Sequence, residues 1–196
     1  MKRQQKALLK KEAILQAALT GITEYGFDGV SMKLIAENAN VAAGTIYIHF
    51  KNKHEMINVL YIDLCEKVNK LMGNNFDKNL DLESNFMNVW KVLLTYYVTQ
   101  PTVPEFLTQY TYSPYIQTTE STPVALLQPA FDMFEQGVQQ GIIKPLPITA
   151  LIGLAHSPLN SLVRMIKNGR IELSDINIST YAQACWDSIR IHHEKN

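Results

Sequence analysis

Residues 29–53, Gly-Val-Ser-Met-Lys-Leu-Ile-Ala-Glu-Asn-Ala-Asn-Val-Ala-Ala-Gly-Thr-Ile-Tyr-Ile-His-Phe-Lys-Asn-Lys, constrain the fold more tightly than any other stretch of the chain. Ser31 is a good cap for a helix over Met32 to Asn38, with Leu34, Ile35 and Ala39 facing inward. Asn40 tolerates the left-handed backbone that turns a corner before Val41. A second short helix covers Ala43 to His49, and Lys51 and Lys53 follow as a cationic patch. Two short helices around a tight corner make a helix-turn-helix, which lays its second helix in the DNA major groove.

The rest of the chain repeats every 3.6 residues, with no alternating strand pattern of useful length. The expected fold is all-α: a three-helix DNA-binding domain over 1–53 and a helical regulatory domain over 54–196, about nine helices in total. Helices are predicted over Ala7–Tyr25, from a cap at Asn52 to about Gly73, over Leu82–Gln100 before Pro101, and over 104–112. A seventh is capped by Ser121 or Thr122, ends at Gly141 and kinks at Pro129 unless it starts later. An eighth runs Thr149–Lys167, interrupted at Pro158, and a ninth from Ser179 to about His193.

Composition bears on function through its distribution. The formal net charge is zero. Residues 1–53, however, carry eight Lys/Arg against four acids, and residues 54–196 carry ten against fourteen. A basic head on an acidic body implies that the head alone meets phosphate. Cys65 and Cys185 lack a metal-binding spacing and fit core thiols in a reducing compartment. The first residues run into a helical pattern, without a signal-peptide apolar region. No apolar run approaches the ~18 residues of a membrane span, so the expected location is the cytoplasm.

Tyr25-Gly26-Phe27, Ser31, Ile35-Ala36, Ala39, Val41, Gly44-Thr45-Ile46-Tyr47, His49-Phe50 and Lys53 with Glu55 together resemble the head of the TetR (tetracycline-repressor-like) family of bacterial transcription regulators. The likeness is close over about the first 60 positions and looser through Glu135-Gln136-Gly137 and the last helix pair. It implies DNA contacts by Ser31, Gly44, Thr45, Tyr47, His49 and Lys53. Replacing Tyr47 and Lys53 together is expected to abolish DNA binding with the dimer intact. Each contact has a plainer alternative: Ser31 caps a helix whatever it binds, Tyr47 can pack on the first helix, and Lys33 and Lys51 can be solvated charges. The family commonly has glycine at the corner and a hydroxyl at the start of the second helix, where this chain has Asn40 and Ala42-Ala43. Methyl groups cannot make the bidentate hydrogen bonds that distinguish guanine or adenine, but they can touch thymine methyls. The operator is therefore expected to be read partly through thymine contacts and DNA shape.

In the body, Tyr96, Tyr97, Tyr110, Tyr112 and Tyr115 cluster with flanking aromatic residues. The resemblance implies an inducer pocket, for which Phe86, Trp90, Tyr97, Phe106, Tyr110, Phe131 and Phe134 are the candidate lining; the alternative is a filled helical core. Few charges fall in 84–119, which suits an aromatic or amphipathic small molecule. The last two helices resemble the family's dimer-forming pair, with Leu151, Leu154, Ala155, Leu159, Leu162, Tyr181, Cys185 and Ile189 as candidate contacts with a second copy. No cofactor or metal site is expected: His156 suits an interface and His192-His193 a frayed end. No nucleophile elbow, phosphate-cradling loop or zinc-protease motif occurs, which argues against an enzyme. The expectation is a homodimeric repressor that a small inducer releases from a palindromic operator. The alternatives are a regulator without an inducer, controlled by a protein partner or its own abundance, or an activator.

Overall fold

A computed structural model describes residues 2–116 and 128–192. Among these residues the chain forms nine α-helices: α1 (Lys2–Tyr25), α2 (Met32–Asn38), α3 (Ala43–His49), α4 (Lys53–Asn74), α5 (Leu82–Thr99), α6 (Thr102–Thr111), α7 (Gln128–Gln139), α8 (Ile148–Lys167) and α9 (Ile178–Ile189). One 3-10 turn, Leu173–Asp175, precedes α9. The all-α class is as expected. The one strand-like feature among the described residues is an isolated antiparallel bridge between Ile143 and Arg190. No helix among them is long and apolar enough to cross a membrane.

The helix-turn-helix has its expected bounds because its signals are local. The Ser31 hydroxyl accepts the Leu34 amide at 3.1 Å, capping α2. At the other end Asn40 sits at φ 53, its amide donating to Glu37 and that of Val41 to Ala36, each at 3.0 Å. This left-handed residue with crossed amide bonds is a Schellman closure, here made by Asn in place of glycine. The same closure ends α8, where Gly169 takes φ 65.

Three helices differ from expectation. α1 starts at Lys2 and not Ala7; residues 4–10 are all exposed, so no apolar stripe marks its first turns. α8 continues through Pro158, which faces solvent and withholds one amide, the one Leu154 would otherwise receive. α9 ends at Ile189 and not near His193, because Arg190 leaves the helix to bridge Ile143. The start of α7, on which the kink expected at Pro129 depends, lies outside the described residues. The caps expected at Ser121 and Thr122 lie outside the described residues.

The chain divides into two compact units, Met1–Leu64 with Thr102–Thr118 and Cys65–Pro101 with Thr119–Asn196. α4 contributes to both. α6, which the sequence reading placed in the body, belongs to the unit that holds the helix-turn-helix.

In that first unit Ile14, Ala18 and Ile22 of α1, Ile35 of α2 and Ile46 of α3 are fully buried, so the two short helices cross closely over the first. α6 packs on α1. Its Phe106 lies 6.0 Å from Phe27, and its Tyr110 stacks on Tyr61 at 3.8 Å. The Tyr110 hydroxyl donates to the buried Asn58 amide oxygen at 2.7 Å, so neither polar group is left unsatisfied.

The second unit is built from α5, α7, α8 and α9. Phe86 lies 5.2 Å from Trp186 and 6.4 Å from Phe134, and the Trp90 indole donates to the Ala155 carbonyl at 3.2 Å. Buried Asn85 ties the loop before α5 to that helix by giving and accepting a bond with the Asp77 backbone, each 2.8 Å. Cys65 and Cys185 are both buried thiols.

Burial lowers the His156 imidazole to about 4. On acidification the unfolded chain therefore takes up this proton first, near the ordinary 6.5. The contribution of His156 to stability is constant above that pH, declines between about 6.5 and 4, and amounts to about 1.4 kcal/mol per unit of difference. Urea unfolding at pH 7.5 and pH 5 is expected to show the loss, and His156→Gln to reduce it. Equal pH dependence in both proteins would refute the assignment.

Candidate nucleic-acid interface

α3 has a buried side and an open one. Ile46 and the capping Phe50 are buried, 0% and 1% exposed, and fasten the helix to the unit's core. Seven residues leave little else, so the remaining positions are decided by register. Ala43, Gly44, Tyr47 and Ile48 fall outward, with Ala42 exposed just before them. Tyr47 is 59% and Ile48 80% exposed. A Cβ added at Gly44 would meet nothing within 4 Å, so this glycine relieves no crowding inside the protein. Its open surface lets another molecule's backbone come close.

The expected contact residues separate into two groups. Gly44 and Tyr47 are presented freely, and Thr45 and His49 are half-buried on the flanks of the same helix. Ser31 is exposed, and its cap uses an oxygen lone pair, which leaves the hydroxyl proton available to a phosphate. Lys53 differs: it is half-buried, and its ammonium donates to the Phe27 carbonyl beyond the end of α1. That bond spans 26 residues and ties the start of α4 to the α1–α2 connection. Replacing Lys53 therefore disturbs the fold as well as any phosphate contact, and Tyr47 alone is the cleaner probe.

The freer cations are Lys51 and Lys33. Lys51 is exposed, while its backbone amide is fixed at 2.5 Å by Glu55, whose own amide is capped by Asn52 at 2.8 Å. Lys33 pairs with Glu37 only at 3.9 Å and 81% side-chain exposure. Such a pair is worth little, so phosphate can displace it. Lys11 lies 5.9 Å from the Phe50 ring centroid and brings a third charge to the end of α3.

Sequence reasoning missed Ile48 because apolar residues are assigned to cores by default. Two turns of helix are too short for the 3.6-residue period to show that Ile48 faces outward.

The aromatic candidates fall in different units. Phe106 and Tyr110 belong to the first; Phe86, Trp90, Tyr97, Phe131 and Phe134 belong to the second. All but the half-buried Phe131 are at most 7% exposed. Burial raises the Tyr97 phenol far above its ordinary value, so it stays neutral. Trp186 was not anticipated: it is 1% exposed, and its indole N–H has no acceptor among the described residues.

Of the residues expected to meet a second copy, Leu151, Ala155, Leu159, Leu162, Cys185 and Ile189 are at most 4% exposed within the single chain. Intrachain packing has already consumed them, so they offer no surface to a twin. Leu154 and Tyr181, 43% and 41% exposed, stay open. Leu154, Pro158, Ser161 and Met165 make an outward stripe on α8, and Tyr181, Ala184 and Ser188 one on α9, from exposed and half-buried positions. The face of α8 and α9 left open in the single chain is therefore the one opposite the expected contacts. No group of three or more His, Cys, Asp or Glu residues suited to a metal is found among the described residues.

Comparison with known proteins agrees with this geometry. Residues 14–60 match the family described as bacterial regulatory proteins, tetR family, and residues 61–191 match the tetracyclin repressor-like C-terminal domain. The chain is 28% identical over 142 residues to YhgD of Bacillus subtilis, an uncharacterized HTH-type transcriptional regulator, covering 69% of this chain and 73% of that one. A TetR family regulator from Marinobacter aquaeolei has the same fold, with a TM-score of 0.89 at 22% identity over 98% of this chain and all of that one. FadR of Bacillus subtilis, solved in complex with stearoyl-CoA, aligns with a TM-score of 0.67 at 18% identity, over 90% and 95% of the two chains. Two adjoining family matches cover most of this chain, which belongs to the TetR family of DNA-binding transcriptional regulators.

Proposed function

We propose that this regulator is a cytoplasmic homodimeric repressor, released from a palindromic operator by an amphipathic or aromatic small molecule. The observation that carries the ligand-responsive part is the indole N–H of Trp186, which has no acceptor among the described residues and is buried beside the expected lining residue Phe86, itself a neighbour of Phe134. A buried donor without an acceptor costs about 1–3 kcal/mol. A carbonyl or carboxylate oxygen on a bound molecule would recover that, with its apolar part among the aromatic rings. The stearoyl-CoA held by the related FadR is a molecule of this kind: a long apolar chain with a polar end.

α4 runs unbroken from Lys53 to Asn74 and supplies residues to both units, so it is the covalent route by which ligand binding reaches the head. Linkage sets the size of the effect: a ligand weakens the operator complex only by the ratio of its affinities for the two states, typically about 5- to 150-fold. A palindrome needs two heads about 34–36 Å apart and hence a second copy, for which the outward stripes of α8 and α9 are the surface on offer.

The test uses a mobility-shift assay on the gene's own upstream region, repeated with stearoyl-CoA and a panel of aromatic and amphipathic acids. Loss of the shift with one compound, absent in Trp186→Phe, supports the reading. No response to any member favours regulation without an inducer. That second reading has its own support in the ring-to-ring packing of Phe86 with Trp186. Sedimentation of the Leu154→Arg/Tyr181→Arg double variant is expected to give monomer and to weaken operator binding sharply. An unaltered dimer would move the interface elsewhere.

A further inference from the structure

The outward face of α3 carries Ala43, Gly44, Tyr47 and Ile48, and no amide, guanidinium or carboxylate. Direct discrimination of guanine or adenine in the major groove takes a bidentate partner such as Arg, Lys, Asn or Gln. α3 has none of these. What it presents most prominently is Ile48, an aliphatic side chain at 80% exposure, one turn beyond an uncrowded glycine. Ile48 stands on the side of α3 away from the buried Ile46, next to the exposed Tyr47, so its aliphatic side chain is open to a groove-bound base. Among the base edges in the major groove, the thymine C5-methyl offers that contact. Exposed Lys33 on α2 and Lys51 just past α3 are available for the phosphate contacts that fix register without reading sequence.

We propose that Ile48 is a specificity-determining residue that reads a thymine methyl in each operator half-site, with Ala43 as a shorter second contact. This rests on α3 being the helix that enters the groove. It goes further in naming the base, the atom recognised and the residue that recognises it. Recognition by van der Waals contact tolerates small shifts in register. A 5-methylcytosine in place of thymine keeps the methyl and changes the hydrogen-bonding groups, so the two modes of readout can be separated chemically.

The experiment selects a binding site from a random double-stranded DNA library with the full-length chain. Anisotropy is then measured on that site with each thymine changed singly to deoxyuridine, which pairs identically but lacks the methyl. A buried methyl is worth a factor of about four in affinity. At least one thymine per half-site is expected to give a loss of about four-fold or more. Ile48→Ala is expected to lose a similar factor on the thymine site and to be indifferent to deoxyuridine at that position. As Ile48 is exposed, this variant should keep the wild-type melting temperature, and Tyr47→Phe serves as a second probe of the same face. Wild-type binding that is insensitive to every deoxyuridine overturns the proposal and leaves the DNA-reading role of α3 standing. A loss in Ile48→Ala with wild-type insensitivity assigns Ile48 to backbone or to a protein partner, and overturns it too. Selection of no DNA site would sink the underlying reading itself.

Discussion

Gly29→Ala is expected to disable the head by misfolding it. A Cβ at position 29 would sit 2.2 Å from the Tyr25 carbonyl oxygen, 2.8 Å from the Tyr25 Cβ and 3.0 Å from its carbonyl carbon. Two of these three atoms are backbone at the last residue of α1, so the clash cannot be relieved by turning a side chain. The chain after α1 must move instead. It carries Phe27, whose carbonyl receives Lys53 and whose ring meets Phe106 and Tyr115 at 6.0 and 5.3 Å. It also carries Val30, 3% exposed, and the Ser31 cap of α2. Overpacking costs about 1–3 kcal/mol and occasionally more, and a backbone clash belongs at the top of that range. For a chain of this size the melting temperature should fall by roughly 6–12 °C, with operator binding weakened in parallel. Gly44→Ala is the matched control, since its new methyl meets nothing within 4 Å and should leave the melting temperature alone. A Gly29→Ala protein that melts with the wild type would show that the corner yields more easily than its packing implies.

Trp90→Ala carries the other large expected effect, about 3–5 kcal/mol of stability. Trp90 is 2% exposed in the core of the second unit, and its indole donates to the Ala155 carbonyl of α8. Trp90→Phe keeps most of the ring volume and gives up that hydrogen bond, so its cost should be smaller, about 1–2 kcal/mol. Urea unfolding of the two variants separates the contributions. The comparison also bears on whether Trp90 lines a ligand site or fills a core. A wall residue would lose ligand response while the fold loses little. A core residue would lose stability first, and partial recovery of stability by added indole would indicate a refillable void.

What could be read from sequence followed the range of the interactions. α2 and α3 were bounded correctly because Ser31, Asn40 and Phe50 act on neighbours three to five residues away. The bond from Lys53 to the Phe27 carbonyl could not be foreseen, because its partner is 26 positions distant and leaves no local trace. The apolar period on α8 and α9 correctly marked a buried face. It could not say whether the same chain or a second copy buries it, and Leu151, Ala155 and Ile189 proved to be the former. The first turns of α1 went unread for the opposite reason: with residues 4–10 exposed, no apolar rhythm records that they are helical.

The company that α6 keeps has a consequence for how the head comes into being. Its unit is written in two separate stretches, up to Leu64 and again from Thr102. At about 5–20 residues per second, the ribosome delivers the second stretch some seconds after the first. During that interval the hydrophobic surface that Phe106 and Tyr110 will cover lies open, and the head can finish only after the intervening segment has been made. Such a head is poorly suited to exchange as an N-terminal cassette. A chimera joined near residue 60 would transplant the reading helix without the helix that closes over its foundation.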